Sequence, residues 1–277
     1  MSLQCHAPLG AIKREEKRMK RIVSLALCVL TLFACLAGCG EDITPAETFT
    51  VGFDANLPPM GFTADDGSYT GFDIDCATEV AKRMGRELKL QPIVWDVKDS
   101  ELNSGTIDCI WNGFTMNIED RPEKYTWTDA YMNNEQVAVV RADATYQSLA
   151  DLAGTTVAVQ AGSTADSAVN ANPEFKDSIG QVVDSQDNLL ALEQLKAGAV
   201  DAVVMDSVVA NYQIAQGAEV RIIDEVLSTE LYGVGFKKGN TALRDEVQKC
   251  LEEMAQDGTL AEISTKWFGQ DITTIGK

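Results

Sequence analysis

Leu102-Asn103-Ser104-Gly105-Thr106-Ile107-Asp108-Cys109-Ile110 reads against Leu195-Lys196-Ala197-Gly198-Ala199-Val200-Asp201-Ala202-Val203, at an offset of 93 residues throughout. Each copy has the form of a helix end, a glycine able to take the left-handed cap conformation, and a short apolar strand. Earlier strands correspond more loosely: residues 51–53 end at Asp54, and residues 156–159 end at Gln160. Strands alternating with helices predict parallel sheets, and two copies of the unit predict two similar lobes. Helix–glycine–strand units recur in any α/β domain, so the repeat alone also fits one ordinary domain.

Outward from the repeat, residues 49–53 form a first apolar strand, followed by a loop with Pro58, Pro59 and Gly61. Ile74, Ala77, Val80, Ala81 and Met84 follow helical spacing, and Gly85 closes that helix. Residues 242–254 and 260–268 read as two amphipathic helices, the second ending at Gly269.

The chain of 277 residues begins with a basic stretch and then an apolar run, residues 22–37, that ends in Leu36-Ala37-Gly38-Cys39. This is the order of a secretory signal. The run is shorter than the roughly 20 residues that span a bilayer. The cysteine at the cut point resembles the lipobox of bacterial lipoproteins, which implies residues 1–38 as signal peptide (with Met19 a plausible true start). Cys39 is then the lipidated N-terminus, residues 39–46 a tether, and the location the outer face of a cell membrane. A retained membrane helix is the other reading of the run.

Six of the 23 Lys/Arg and two of the 42 Asp/Glu lie before Cys39, leaving 17 basic and 40 acidic residues and a net charge of −23. Such a body repels nucleic acid and anionic lipid surfaces. The one histidine, His6, is in the leader. Ser-His-Asp hydrolysis, Cys-His proteolysis and histidine-based metal sites are therefore excluded from the mature chain. No cofactor or metal is expected. Cys76, Cys109 and Cys250 read as small buried hydrophobes.

In open α/β sheets ligands sit beyond the carboxyl ends of strands. Those ends carry Asp54, residues 113–115, residues 160–164 and Asp206. Arg121 can grip a carboxylate through paired hydrogen bonds, or can simply start a solvated helix. Gly162-Ser163-Thr164 before a helix exposes N–H groups to an anion, or is a plain helix cap. Asp206 caps the helix that follows it, or aims a carboxylate into a cleft, where burial demands a cation. Asp54 carries the same ambiguity, and Trp95 covers a ligand or fills a core. Taken together, anion acceptors (Arg121, the Ser163 and Thr164 N–H groups) and cation acceptors (Asp206, the Thr115 hydroxyl, the Gly113 carbonyl) match the two ends of an amino acid zwitterion.

Tyr69-Thr70-Gly71-Phe72-Asp73-Ile74-Asp75, residues 102–113, Tyr125-Thr126-Trp127-Thr128-Asp129-Ala130-Tyr131, residues 157–164, Val200-Asp201-Ala202-Val203 and Lys266-Trp267-Phe268-Gly269 carry a wider likeness. Over residues 49–269 the chain resembles the family 3 extracellular solute-binding proteins, the polar amino acid receptors of ABC importers. The resemblance implies an α/β Venus-flytrap fold of the type II periplasmic-binding-protein class with two hinge strands. One lobe comprises residues 47–132 and 231–277 and the other 133–230, with hinges near residues 131–136 and 228–233. It implies that Arg121, Ser163 and Thr164 hold an α-carboxylate and that Asp206, Thr115 and Gly113 hold an α-ammonium. Asp54, Leu57, Trp95 and Gln160 then surround the side chain. It further implies a monomer that hands its ligand to a permease with a cytoplasmic ATPase.

The chain departs from the family pattern in three places. Arg121 stands one residue further from the Gly113–Thr115 pair than usual, Leu57 replaces a common aromatic, and Met205 replaces a residue that is polar in some relatives. Asp54 favours a side chain with hydrogen-bond donors: arginine, lysine, glutamine or histidine, with cystine also open. Two other function classes fit the scaffold: an enzyme resembling cyclohexadienyl dehydratase, and a ligand-presenting sensor or adhesin.

Overall fold

A computed structural model of the protein describes residues 47–277; the leader, Cys39 and the tether lie outside the described residues. Two five-stranded sheets form the frame. In the first, the order is Glu87–Pro92, Thr48–Phe53, Cys109–Ile110, Gly235–Lys237, Tyr125–Trp127. In the second it is Gln181–Ser185, Thr156–Gln160, Ala202–Asp206, Met132–Arg141, Val220–Tyr232. Each sheet has three parallel strands with the earliest in the middle, then an antiparallel neighbour. This is the architecture of a type II periplasmic binding protein with two lobes.

The sequence repeat is a repeat of physical function. Gly105 and Gly198 both take the left-handed conformation, φ 78° and 72°, which glycine reaches without a Cβ clash. Asp108 then accepts the Thr50 N–H at 2.7 Å, and Asp201 accepts the Thr156 N–H at 2.9 Å. Each aspartate also donates its own N–H to the carbonyl of the same threonine, at 2.8 Å in both copies. A carboxylate and a peptide group thus lock the start of one strand to the start of its parallel neighbour. The registers follow: Val51 faces Cys109, and Val157 faces Ala202.

The helix Phe72–Met84 begins two residues before its apolar periodicity suggests and stops at Gly85, which is left-handed at φ 67°. It buries Phe72, Cys76, Ala77, Val80 and Ala81 against the first sheet and the helices Thr241–Asp257 and Thr259–Phe268. At about 1.5–3 kcal/mol for each large apolar side chain, this face holds the C-terminal helices onto the first half of the molecule. Cys76, Cys109 and Cys250 are buried and unpaired, and Met205 lies in the core rather than at a strand end.

The chain leaves the first half along Met132–Arg141 and returns along Val220–Tyr232. These two strands are antiparallel partners, with Met132 opposite Tyr232 and Arg141 opposite Val220. The register slips between Ile222 and Val226 and again between Val226 and Ser228. The two halves meet across a gap between the carboxyl ends of their parallel strands. No helix among the described residues is long and apolar enough to cross a membrane.

Candidate functional site

One narrow cavity lies in that gap. All ten ligand-site residues singled out from the sequence line it, together with Asn112. From the first half come Asp54, just past the end of Thr48–Phe53, and Gly113 and Thr115, past Cys109–Ile110. Arg121 opens the short helix Arg121–Lys124, Trp95 opens the 3-10 turn Trp95–Val97, and Leu57 ends the strand Asn56–Leu57. From the second half come Gln160 and Asp206, each the last residue of a parallel strand, and Ser163 and Thr164 at the start of the helix Thr164–Ala171.

Arg121 is buried, not a solvated helix start. Its Nη1 donates to the Thr115 carbonyl at 3.0 Å, and its guanidinium lies 4.8 Å from the centre of the Phe114 ring. Phe114 is in turn fixed edge-on by Trp95, with 5.6 Å between ring centres. Trp95 therefore belongs both to an aromatic core and to the cavity wall. Across the gap, the Ser163 hydroxyl accepts the Asp166 N–H at 3.4 Å, so Ser163 does cap its helix. The Ser163 N–H itself already donates to the Gln160 carbonyl at 3.2 Å, so it is not free as the sequence suggested; the Thr164 N–H and the other N–H groups of the first turn lack helical partners and make a local positive end beside the cavity.

Asp206 does not cap its helix with its side chain. Its Oδ1 instead accepts Nδ2 of Asn134 at 2.8 Å, Nε2 of Gln136 at 2.9 Å and the hydroxyl of Tyr232. Burial, aided by the charge of Glu230, pushes the Asp206 carboxyl up to about 7. Glu230 is itself only 2% exposed; its Oε2 accepts the Thr115 hydroxyl at 3.1 Å, Nδ2 of Asn134 at 2.8 Å and Nε2 of Gln136 at 3.2 Å. Gly113 has φ 55°, and a Cβ there would sit 3.1 Å from the Tyr232 ring; its N–H donates to the buried Asp73 at 2.7 Å.

Asp54 is engaged from both sides. Its Oδ1 accepts the Asn56 N–H at 2.9 Å, and its Oδ2 accepts Nε2 of Gln160 at 2.6 Å. Burial raises its carboxyl above the ordinary range, and those two hydrogen bonds oppose the rise. The Asp54–Gln160 bond joins one half of the molecule to the other. So do Asn56 to Asp187 at 3.2 Å and Lys98 to the Gly162 carbonyl at 3.2 Å. Burial and the Arg121 charge lower the Lys98 ammonium to about 8.

Sequence reasoning did not single out Asn112, Asn134, Gln136, Glu230 or Tyr232. Asn112 is adjacent to a chosen glycine and presents a buried amide with neither atom paired. The other four lie on the two long strands, where alternation turns Met132, Asn134 and Gln136 inward together. Asn134 and Gln136 could have been flagged there only by knowing which face of the strand is covered. Among the described residues no group of three or more His, Cys, Asp or Glu could hold a metal ion.

The chain is 31% identical over 229 residues to the L-cystine-binding protein TcyJ of Escherichia coli (strain K12), covering 82% of this chain and 84% of that protein. It is 31% identical over 271 residues to the L-cystine-binding protein TcyA of Bacillus subtilis (strain 168), covering 90% and 98%. The structure superposes, with a TM-score of 0.78 and 38% identity, on an ABC uptake transporter substrate binding protein from Streptococcus pneumoniae with bound histidine, covering 82% of this chain and 94% of that one. Residues 49–270 match the bacterial extracellular solute-binding proteins, family 3. A cavity at facing strand ends, two sheets of one topology and these likenesses over nearly all the described residues agree: the chain belongs to the family 3 bacterial extracellular solute-binding proteins.

Proposed function

We propose that this protein captures a polar L-amino acid between its two lobes and delivers it to the permease of an ABC importer. The observation that carries the reading is a single cavity lined by a buried guanidinium, a helix N-terminus and a buried carboxylate. Arg121, Ser163 and Thr164 take the α-carboxylate. Asp206, the Thr115 hydroxyl and the Gly113 carbonyl take the α-ammonium. Asp54, Leu57, Trp95 and Gln160, with Asn112 beside them, surround the side chain.

The lobes comprise residues 47–132 with 231–277, and residues 133–230, and they hinge near residues 131–136 and 228–233. The ligand favours closure because only the closed state brings both charge clusters to it. Micromolar affinity corresponds to about 8 kcal/mol, within reach of two charge-assisted clusters and a buried side chain. Donors on the ligand's side chain would take over the Asp54 carboxylate that Gln160 holds. The cystine-binding relatives and the histidine-bound neighbour support a polar amino acid, and relatives that are binding proteins support capture rather than turnover. The reading includes a lipid anchor at Cys39 on the outer face of the cell membrane, and a monomer; a mature mass without the lipid adduct would remove the anchor.

Thermal-shift screening across the protein amino acids and cystine tests the binding. One or a few polar amino acids should raise the melting temperature, and none doing so would refute it. Asp206→Ala should abolish the shift, since the ammonium would lose the carboxylate that lines the cavity.

A further inference from the structure

Glu230 has no part in the reading above and does not line the cavity, yet it is hydrogen-bonded behind Thr115 and to the amides that hold Asp206. It shares two donors with Asp206: Nδ2 of Asn134, 2.8 Å from an oxygen of each, and Nε2 of Gln136, at 2.9 and 3.2 Å. The Asp206 Oδ1 and Glu230 Oε2 atoms can therefore lie no further apart than two 2.8 Å bonds laid end to end. Glu230 also accepts the Thr115 hydroxyl, and its other oxygen, Oε1, is buried without a partner. Two carboxylates so close in a buried site cannot both stay charged without a cation.

The groups facing the pair are few. Tyr232 donates to Asp206. Arg121, on its own helix, carries a positive charge felt by Glu230 but spends a hydrogen bond on the Thr115 carbonyl. Ser207 beside Asp206 donates to Asn134 rather than to a carboxylate. Thr164, from the facing helix, accepts from Gln136. Glu135, next along the strand, adds only negative charge, and Asp73 is reached through Tyr131, whose ring packs on Tyr232. Glu230 also borders a polar depression with Asn117, Asn133 and Ser207, which gives a proton a way to water outside the ligand cavity.

We propose that Glu230 is the second carboxylate of the ammonium site: with Asp206 it holds a single proton before a ligand arrives, and that proton passes to solvent when the amino acid's ammonium takes its place. This rests on the amino-acid reading above. Binding is then proton-linked, with affinity rising towards neutral pH and levelling once the pair has lost its proton. The limit is tenfold per pH unit for one proton released.

Titration calorimetry of the full protein at pH 7, in phosphate and in Tris, counts the proton through the different ionisation heats of the buffers. The probes are L-arginine, L-histidine, L-glutamine and L-cystine. For a probe that binds, the wild type should release about half to one proton and lose affinity up to tenfold per unit between pH 7 and 5.5. Glu230→Gln should release less of a proton at pH 7 than the wild type and shift its pH dependence to lower pH, while Asp73→Asn should keep the wild-type count. A wild type that binds with no proton release and no pH slope overturns the proposal while leaving amino acid binding intact. The wild-type count decides this even where a variant fails to fold. Glu230→Gln with the wild-type count also overturns it. Failure of every amino acid in the thermal-shift panel refutes the binding reading and this inference with it.

Discussion

Arg121 and Asp206 line one cavity, and each is held by neighbours that leave it little freedom. Arg121 is clamped between the Thr115 carbonyl and the Phe114 ring; its planar fork suits a carboxylate in a way that the point charge of lysine does not. Arg121→Lys should therefore retain the charge yet weaken amino acid binding by tenfold or more, about 1.4 kcal/mol or greater, measured by calorimetry. Unchanged affinity would mean that Arg121 only braces the loop. Asp54, Gln160 and Asp206 were legible as cavity-lining positions because they stand at or just past the ends of apolar strands, where backbone geometry leaves the last polar residue at the sheet edge. The brace around Asp206 was not legible. Asn134, Gln136 and Glu230 sit within long strands, and their inward direction depends on which face the rest of the molecule covers.

At the scale of elements, the repeated unit carries its own fastening. Asp108 and Asp201 each accept an N–H near the start of a neighbouring strand, Thr50 and Thr156, a group that would otherwise be left without a partner. Asp201→Ala should cost about 1–2 kcal/mol, read as a lower urea midpoint, with Asp108→Ala costing a similar amount. A midpoint unchanged in both variants would show that water replaces the carboxylate without penalty. Helix ends were read from sequence to within a few residues because glycine marks them: Gly85 and Gly269 are both left-handed caps. The helix Phe72–Met84 starts earlier than its apolar pattern because Phe72 packs inward before the periodicity is established. The pairing of Met132–Arg141 with Val220–Tyr232 was less visible, since 78 residues separate them and two register slips interrupt the pattern.

For the whole molecule, buried carboxyl groups make stability respond to pH in an identifiable direction. Asp73, enclosed beneath the Gly113 turn, is raised to about 7 by burial, against the pull of the Gly113 N–H and the Tyr131 hydroxyl. The folded protein thus keeps a proton that the unfolded chain, with its ordinary value near 3.8, gives up earlier. The contribution of this group is fully present below that value and is lost as pH rises through about 7. Relative to Asp73→Asn, the wild type should lose melting temperature between pH 4.5 and 7 and then run parallel to it. A difference that grows in the opposite sense would rule out a protonated Asp73. The variant shares Asp206 and every surface ion pair with the wild type, so their titration cancels in the comparison.

The placing of Gly235–Lys237 has a consequence for the order in which the molecule is made. That strand is the sole sheet partner of Tyr125–Trp127 and sits beside Cys109–Ile110, so the first sheet cannot close until residue 237 has been synthesised. The second sheet is drawn from one continuous stretch, Met132 to Tyr232. As the chain emerges from its N-terminus, the second sheet therefore has all its strands at Tyr232 and the first only at Lys237, so the earlier-encoded half is the last to complete its hydrogen bonding.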